Sequence, residues 1–355
     1  MSKPLVLLDP HPRTRAMIFG EDDWQRLVAI AEIVTCDEGP VADGVVDECL
    51  PRVSAIIGQT PMPDERLRRA PGLRAIFNVE GNFFPNVDYG YCFRHGIRVA
   101  VAAPAFAAPV AEYALALTLD LLRGVTRADR AFRDGTEAYG WRGNRDATTL
   151  FGRDVGIVGF GNIGRALVQL LAPFRCRLRI HDPWLPDAVV REAGATPTTL
   201  DGVFAGSDVV IVASAATRDN RHLIGAAELA RMTPGSKLVL LSRADVVDFQ
   251  ALQNATASGR IEAAIDVFPE EPVASDDPIR GAAGILLSAH RAGGLDSALK
   301  TIGAMVVDDL GLVLRGLPPV RLQSAQPETV ALLRSKPGIA GAMPPSDRPF
   351  GEAPA

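Results

Sequence analysis

From Asp154 to His290 the chain alternates short apolar runs with helical patterns, and this alternation leaves few folds open. Residues 155–159, 178–180, 209–212, 238–241, 263–268 and 285–288 read as buried strands. Helical stretches fit between most of them. Residues 162–172 carry Ile163, Ala166, Leu167, Leu170 and Leu171 on one face, and residues 249–258 have Asp248 as N-cap and Gly259 as a stop. Strands separated by helices of this kind pair in parallel, which predicts a doubly wound α/β sheet.

The first hundred residues repeat the rhythm more weakly. Residues 6–8, 55–57 and 75–79 are strand candidates, and residues 24–33 and 64–69 are helix candidates. We expect a second, smaller α/β lobe here. Two helices suit the connections: residues 110–122, apolar nearly all round, and residues 298–314, which stop before Gly316 and Pro318. Two crossings make the first lobe discontinuous. The expected division is 1–108 with 299–334 as one domain, 109–298 as a Rossmann domain, and 335–355, rich in Pro, Gly and Ala, as a flexible tail.

With 355 residues, 47% hydrophobic and 22% charged, the chain can bury two ordinary cores. A net charge of -5 gives no reason to expect a nucleic-acid partner. Cys36, Cys49, Cys92 and Cys176 are scattered with no CxxC pair, so we expect buried thiols in a reducing cytosol and no metal site. The apolar stretch at Leu5 to Leu8 is too short for a signal peptide. No apolar run reads as long enough to span a membrane, which predicts a cytoplasmic protein with no membrane partner.

Gly159-Phe160-Gly161-Asn162-Ile163-Gly164 is a GxGxxG turn between a strand and an amphipathic helix. Gly159 would allow the tight turn, Gly161 the close approach of a pyrophosphate, and Gly164 the packing of helix on strand. The N–H groups near Asn162 and Ile163 would point at the anion. Asp182, at the end of the next strand about 20 residues downstream, suits the ribose hydroxyls and would repel a 2′-phosphate, so the expected cofactor is NAD rather than NADP. A glycine turn without a ligand is the plainer alternative.

Arg243, Glu271 and His290 each stand at or just after the carboxyl end of a later strand, where open α/β sheets place ligands. Singly, each has an ordinary explanation as a salt bridge, a solvated charge or a packed ring. Together, on the rim that would hold the dinucleotide, they suit a reduction site.

Read as a series, VGIVGFGNIG, HDPWLP, HLIGAAELARMTPGSKLVLLSRADVVD, AAIDVFPEEP and SAHRAGG resemble the D-isomer-specific 2-hydroxyacid dehydrogenases, a group that includes phosphoglycerate, glycerate and D-lactate dehydrogenases. NVDY, HGIRV and VAEYALAL extend the likeness, which runs from about Ala55 to about Leu322. The resemblance implies two Rossmann-like lobes, each a doubly wound parallel sheet, with a cleft between them, and a hydride exchanged between NAD and a small 2-hydroxy or 2-oxo acid. It implies that Arg243 grips the substrate carboxylate, that His290 is the general acid/base, and that Glu271 orients that ring and favours its protonated form. It places Asp266 near the nicotinamide carboxamide and adds Ser214, Leu241 and Gly293 to the cofactor set. Gly81, Asn82 and Phe83 fall in the loop that cradles the substrate carboxylate.

Some positions depart from the family pattern. Leu240 replaces an asparagine, Ala244 a glycine, and Ala213-Ser214-Ala215-Ala216 a proline-containing segment. In the substrate loop Phe83 stands for a glycine and Glu80 adds a negative charge. Gln59 lies where relatives that bind phosphorylated acids place a cation, so an unphosphorylated substrate is expected. Phe83 would form an aromatic wall, and Glu80 would meet an amine or hydroxyl. A non-catalytic NAD(H)-sensing regulator on the same fold is the second reading, and a hydride-transfer enzyme for an inorganic or one-carbon substrate the third. Family likeness also predicts a homodimer, with residues 120–141 as the exchanged arm.

Overall fold

The computed structural model describes residues 3–36 and 39–332. The expected tail lies outside the described residues. Two sheets organise the chain. The first has strands β1 (Leu5–Asp9), β2 (Glu32–Thr35), β3 (Val53–Gly58), β4 (Ala75–Asn78) and β5 (Arg98–Val101). The second has β6 (Asp154–Val158), β7 (Arg177–His181), β8 (Thr196–Pro197), β9 (Val209–Val212), β10 (Lys237–Leu240), β11 (Glu262–Ile265) and β12 (Ile285–Leu287). A last short strand, β13 (Gln323–Ser324), returns to the first sheet.

The first sheet runs in the order β13-β5-β4-β3-β1-β2 and the second β12-β11-β10-β9-β6-β7-β8. Among the described residues the strand pairings are parallel apart from β13, which lies antiparallel against β5. Each order reverses once, between β1 and β3 in the first lobe and between β6 and β9 in the second. These reversals open the crevices in which α/β folds bind ligands.

Strand positions in the second lobe, β8 apart, follow the sequence reading to within a few residues, because β9 and β10 are buried on both faces and read as unbroken apolar runs. The helix Phe249–Ala257 starts where expected, with the Asp248 carboxylate accepting the Ala251 N–H at 3.1 Å. In the first lobe the expected helix over 24–33 is corrected. The helix is Glu21–Ile30, ended by Ala31 in an extended conformation, and Glu32–Thr35 is strand β2. Four strands, β2, β5, β8 and β13, have no counterpart in the sequence reading.

Two long helices link the sheets. Asp296–Leu314 buries Leu299, Ile302, Val306, Leu310 and Val313 in the first lobe's core. Ala107–Arg123 buries Val110, Ala111, Ala114, Leu117 and Leu122 in the second. With the preceding turn Ala103–Phe106 it forms a 21-residue apolar stretch, long enough by length and composition to cross a membrane. This corrects the expectation that no such run exists; here the stretch packs on the helix Asn162–Leu171. The cysteines also differ from expectation: Cys49 and Cys92 are buried and Cys176 is partly so, but Cys36 is exposed.

Candidate active site

At the end of β6 the chain turns through Gly159 with φ +95°, and a Cβ there would lie 2.6 Å from the Ser214 backbone at the end of β9. Only glycine fits that turn without displacing backbone. A Cβ on Gly164 would lie 2.4 Å from the Gly159 carbonyl oxygen, so its absence lets the helix seat on the strand. Gly161 is different. A Cβ there would meet nothing within 4 Å, and the helix that follows has no side-chain cap. Bare backbone and an uncapped helix start are what a pyrophosphate needs.

The surroundings agree. The hydroxyls of Ser214 and Ser242 are buried and have no hydrogen-bond partner among the described residues. Asp182 ends β7 half-buried, its carboxylate accepting the Phe160 N–H (2.7 Å) and the Trp184 N–H (2.9 Å). Asn162 reaches across to the first lobe, donating to Gln323 Oε1 at 2.7 Å. Ile163 packs on the second lobe's core, and Leu241 is buried just past β10. These residues fit a dinucleotide, which when bound supplies or accepts the hydride.

His290 sits past β12 in a left-handed conformation, φ +51°, with its N–H on the Asp266 carbonyl at 2.7 Å. Its Nδ1 lies 2.6 Å from Glu271 Oε2, while Glu271 Oε1 accepts the Phe268 N–H at 2.8 Å. The acid is thus held at one oxygen and holds the ring with the other. Asp266, 1% exposed, organises the turn beyond the histidine. Its carboxylate accepts the Ser288 hydroxyl (2.6 Å) and the N–H groups of Arg291 (2.9 Å) and Ala292 (2.9 Å). Tyr113 on the linking helix lies 2.7 Å from the same serine.

Arg243 follows β10 half-buried. It donates to the Ser242 carbonyl at 2.6 Å and joins no ion pair among the described residues. Burial holds its guanidinium below its ordinary value, and the charges of Glu271 and Glu80 act in the opposite direction. A partly desolvated guanidinium without a counter-ion is a site for a carboxylate. The three polar residues singled out in the sequence therefore meet in one place.

Across from them, the N–H groups of Gly81, Asn82 and Phe83 have no acceptor among the described residues. Phe83 itself is corrected. Its ring, 6% exposed, is buried in the first lobe's core and packs edge-on to Tyr89 with centroids 6.3 Å apart. The aromatic at the cleft is Phe106, which touches both lobes' cores. Its ring would meet a Cβ on Gly81 at 3.4 Å and one on Gly293 at 3.3 Å. Nor is Glu80 a lone charge: Arg13, in the loop after β1, grips it bidentately at 2.8 and 2.6 Å. Neither Phe106 nor Arg13 was found in the sequence. Phe106 hides in an alanine- and proline-rich run, and Arg13 stands 67 residues from its partner.

The profile of the D-isomer specific 2-hydroxyacid dehydrogenase, NAD binding domain, matches residues 115–292. A glyoxylate reductase of Korarchaeum cryptofilum (strain OPF8) is 30% identical over 288 residues, 80% of this chain and 86% of that protein. A D-3-phosphoglycerate dehydrogenase of Mycobacterium tuberculosis (strain ATCC 25618 / H37Rv) is 30% identical over 79% of this chain, which spans about half, 52%, of that longer protein. The crystal structure of a phosphoglycerate oxidoreductase from Rhizobium etli superposes with a TM-score of 0.84 at 45% identity, covering 91% of this chain and 99% of the other. The chain belongs to the D-isomer specific 2-hydroxyacid dehydrogenase family and is an NAD-dependent oxidoreductase of that family's 2-hydroxy and 2-oxo acids.

Proposed function

We propose that the protein interconverts a small, unphosphorylated 2-oxo acid and its 2-hydroxy acid, with Arg243, Glu271 and His290 as the working side chains. The observation that carries this reading is the 2.6 Å contact between His290 and Glu271 beside a guanidinium that joins no ion pair among the described residues. Arg243 holds the substrate carboxylate, with the open N–H groups of Gly81, Asn82 and Phe83 on its other side. Glu271 accepts from Nδ1, which leaves Nε2 of His290 facing the substrate oxygen. From there the imidazole gives that oxygen a proton in reduction and takes one in oxidation. Asp266 acts through the loop it organises, and this geometry does not need it at the carboxamide. Asp182 at the ribose favours NAD over NADP.

An unphosphorylated substrate is supported at Gln59, whose amide is uncharged and whose buried Nε2 and Oε1 have no partner among the described residues. The names of the relatives mark the competing substrate class, since one is a glyoxylate reductase and another a phosphoglycerate oxidoreductase. Absorbance of NADH against a panel of 2-oxo acids, with and without a phosphate, decides between them. A clear preference for the phosphorylated acid overturns the unphosphorylated assignment. Tight NADH binding with no turnover on any of the acids would make the protein a sensor.

We also read the chain as a cytoplasmic homodimer. The helix Val125–Arg133 has no buried residue, and beyond it Tyr139 and Trp141 are each 75% exposed. Such rings suit a partner's surface better than water. Light scattering of the purified protein tests the dimer, and a monomer at micromolar concentration would exclude it.

A further inference from the structure

Arg13 and Glu80 come from loops after β1 and β4, and their side chains are 19% and 22% exposed. The guanidinium carbon of Arg13 lies 5.7 Å from the centroid of Phe106, the ring that fills the space between Gly81 and Gly293. The pair therefore stands beside the loop that faces Arg243. Glu80 is fixed from behind, its carbonyl oxygen accepting the Ala102 N–H at 2.9 Å. The contact uses Nε and Nη2 of the arginine and both carboxylate oxygens. Nη1 and the second lone pair on each oxygen remain for a ligand.

We propose that Arg13 and Glu80 are a paired filter for the part of the substrate beyond its 2-oxo acid head, admitting a neutral hydroxylated tail and turning away an anionic one. This rests on the reading of the site given above. A hydroxyl can donate to Glu80 and accept from Arg13 at once. A phosphate or second carboxylate meets a cation already neutralised and a carboxylate that repels it. The pair has a second effect. Glu80 lies within electrostatic reach of Arg243. Without Arg13, its charge would compete with the substrate carboxylate for that guanidinium.

The test is kcat and KM with NADH for three acids: glyoxylate, which has no tail, hydroxypyruvate and phosphohydroxypyruvate. Wild type is compared with Glu80→Gln, Arg13→Gln and the double variant. Wild type should favour the hydroxylated acid over the phosphorylated one in kcat/KM. Glu80→Gln frees Arg13, so that ratio should move about tenfold or more toward the phosphorylated acid. Arg13→Gln should raise KM for all three acids, glyoxylate included, with a smaller change in kcat. The double variant should recover the glyoxylate KM. A pair that only staples two loops predicts no such recovery. An unchanged ratio in Glu80→Gln, or a double variant no better than Arg13→Gln, overturns the filter while leaving the enzyme's function intact. Failure of wild type to reduce any of these acids defeats the functional reading and takes the filter with it.

Discussion

At the reversal in the second lobe the backbone is bare. Gly161 faces open space, and the hydroxyls of Ser214 and Ser242 have no partners among the described residues. At the corresponding reversal in the first lobe the crevice is plugged. Asp9, ending β1, accepts the Val41 N–H at 3.1 Å and the Thr60 hydroxyl at 2.7 Å. Asn86 closes the next layer by donating to the Thr60 carbonyl at 3.4 Å and to Asn78 at 3.1 Å. Even the glycines differ. Gly58, at φ +130°, is required because a Cβ would lie 1.8 Å from the Asp9 carbonyl oxygen, whereas Gly161 leaves room for a ligand. The same strand arrangement thus makes a phosphate cradle in one lobe and a sealed joint in the other. What remains for a ligand on the first lobe is its outer rim, where Arg13, Gln59 and Glu80 stand. Topology offers a crevice; the side chains at its mouth decide whether anything enters.

The largest expected effect falls on the rim of the second lobe. His290→Ala should lower kcat by roughly 10²–10⁴, the usual loss of a general acid/base. Stopped-flow or steady-state NADH turnover measures it, and full activity would move the proton transfer elsewhere. The two glycines then separate the two crevices. Gly58→Ala should destabilise the protein by about 3 kcal/mol, through clash and strain at a positive φ, with NADH affinity unchanged in the folded fraction. Gly161→Ala should do the reverse, leaving the melting temperature of the apo protein unchanged and weakening NADH about tenfold. Paired thermal melts and NADH titrations of both variants would erase the distinction if the two behaved alike.

Asp182→Ala should weaken NADH by a similar or smaller factor and narrow its advantage over NADPH, read from the ratio of the two dissociation constants. An unchanged ratio would remove Asp182 from cofactor choice. The smallest effect is expected at the amino end of β6, away from the crevice. There Asp154 pairs with Arg177 at 2.6 Å, and that bond holds its carboxyl below the usual carboxylate range. The stabilisation is complete above the unfolded value of about 3.9 and fades as pH falls through the lower folded value. Asp154→Asn should therefore cost about 0.5–1 kcal/mol at pH 7. The gap should narrow in melts taken at successively lower pH below the unfolded value of about 3.9, and a gap that grew there would contradict the assignment.

The lobes also differed in legibility. The second could be read strand by strand apart from the short edge strand β8, because its central strands β9 and β10 are buried on both faces and its turn announces itself with three glycines. β2, by contrast, is the four-residue edge Glu32–Thr35 and is at most half-buried. It follows a helix whose end, at Ala31, carries no glycine or proline, so helical spacing ran on through it. β13 is two residues long and exists because β5 offers it an edge. Among the site residues, Arg243, Glu271 and His290 were visible because each follows a strong strand. Glu80 was seen as a negative charge for an amine or hydroxyl, but its partner Arg13 was not, and Phe83 was given the place that Phe106 holds.

Local pattern alone therefore determined the second sheet apart from its edge strand β8, the dinucleotide turn and the polar groups on its rim, because hydrophobic period and glycine chemistry act over a few residues. Tertiary structure decided which crevice stayed open, which charge was neutralised and which ring reached the cleft. Those outcomes depend on contacts such as Arg13 with Glu80 and Gly58 with Asp9, whose partners stand far apart in the chain and meet only when β1, β3 and β4 pack side by side.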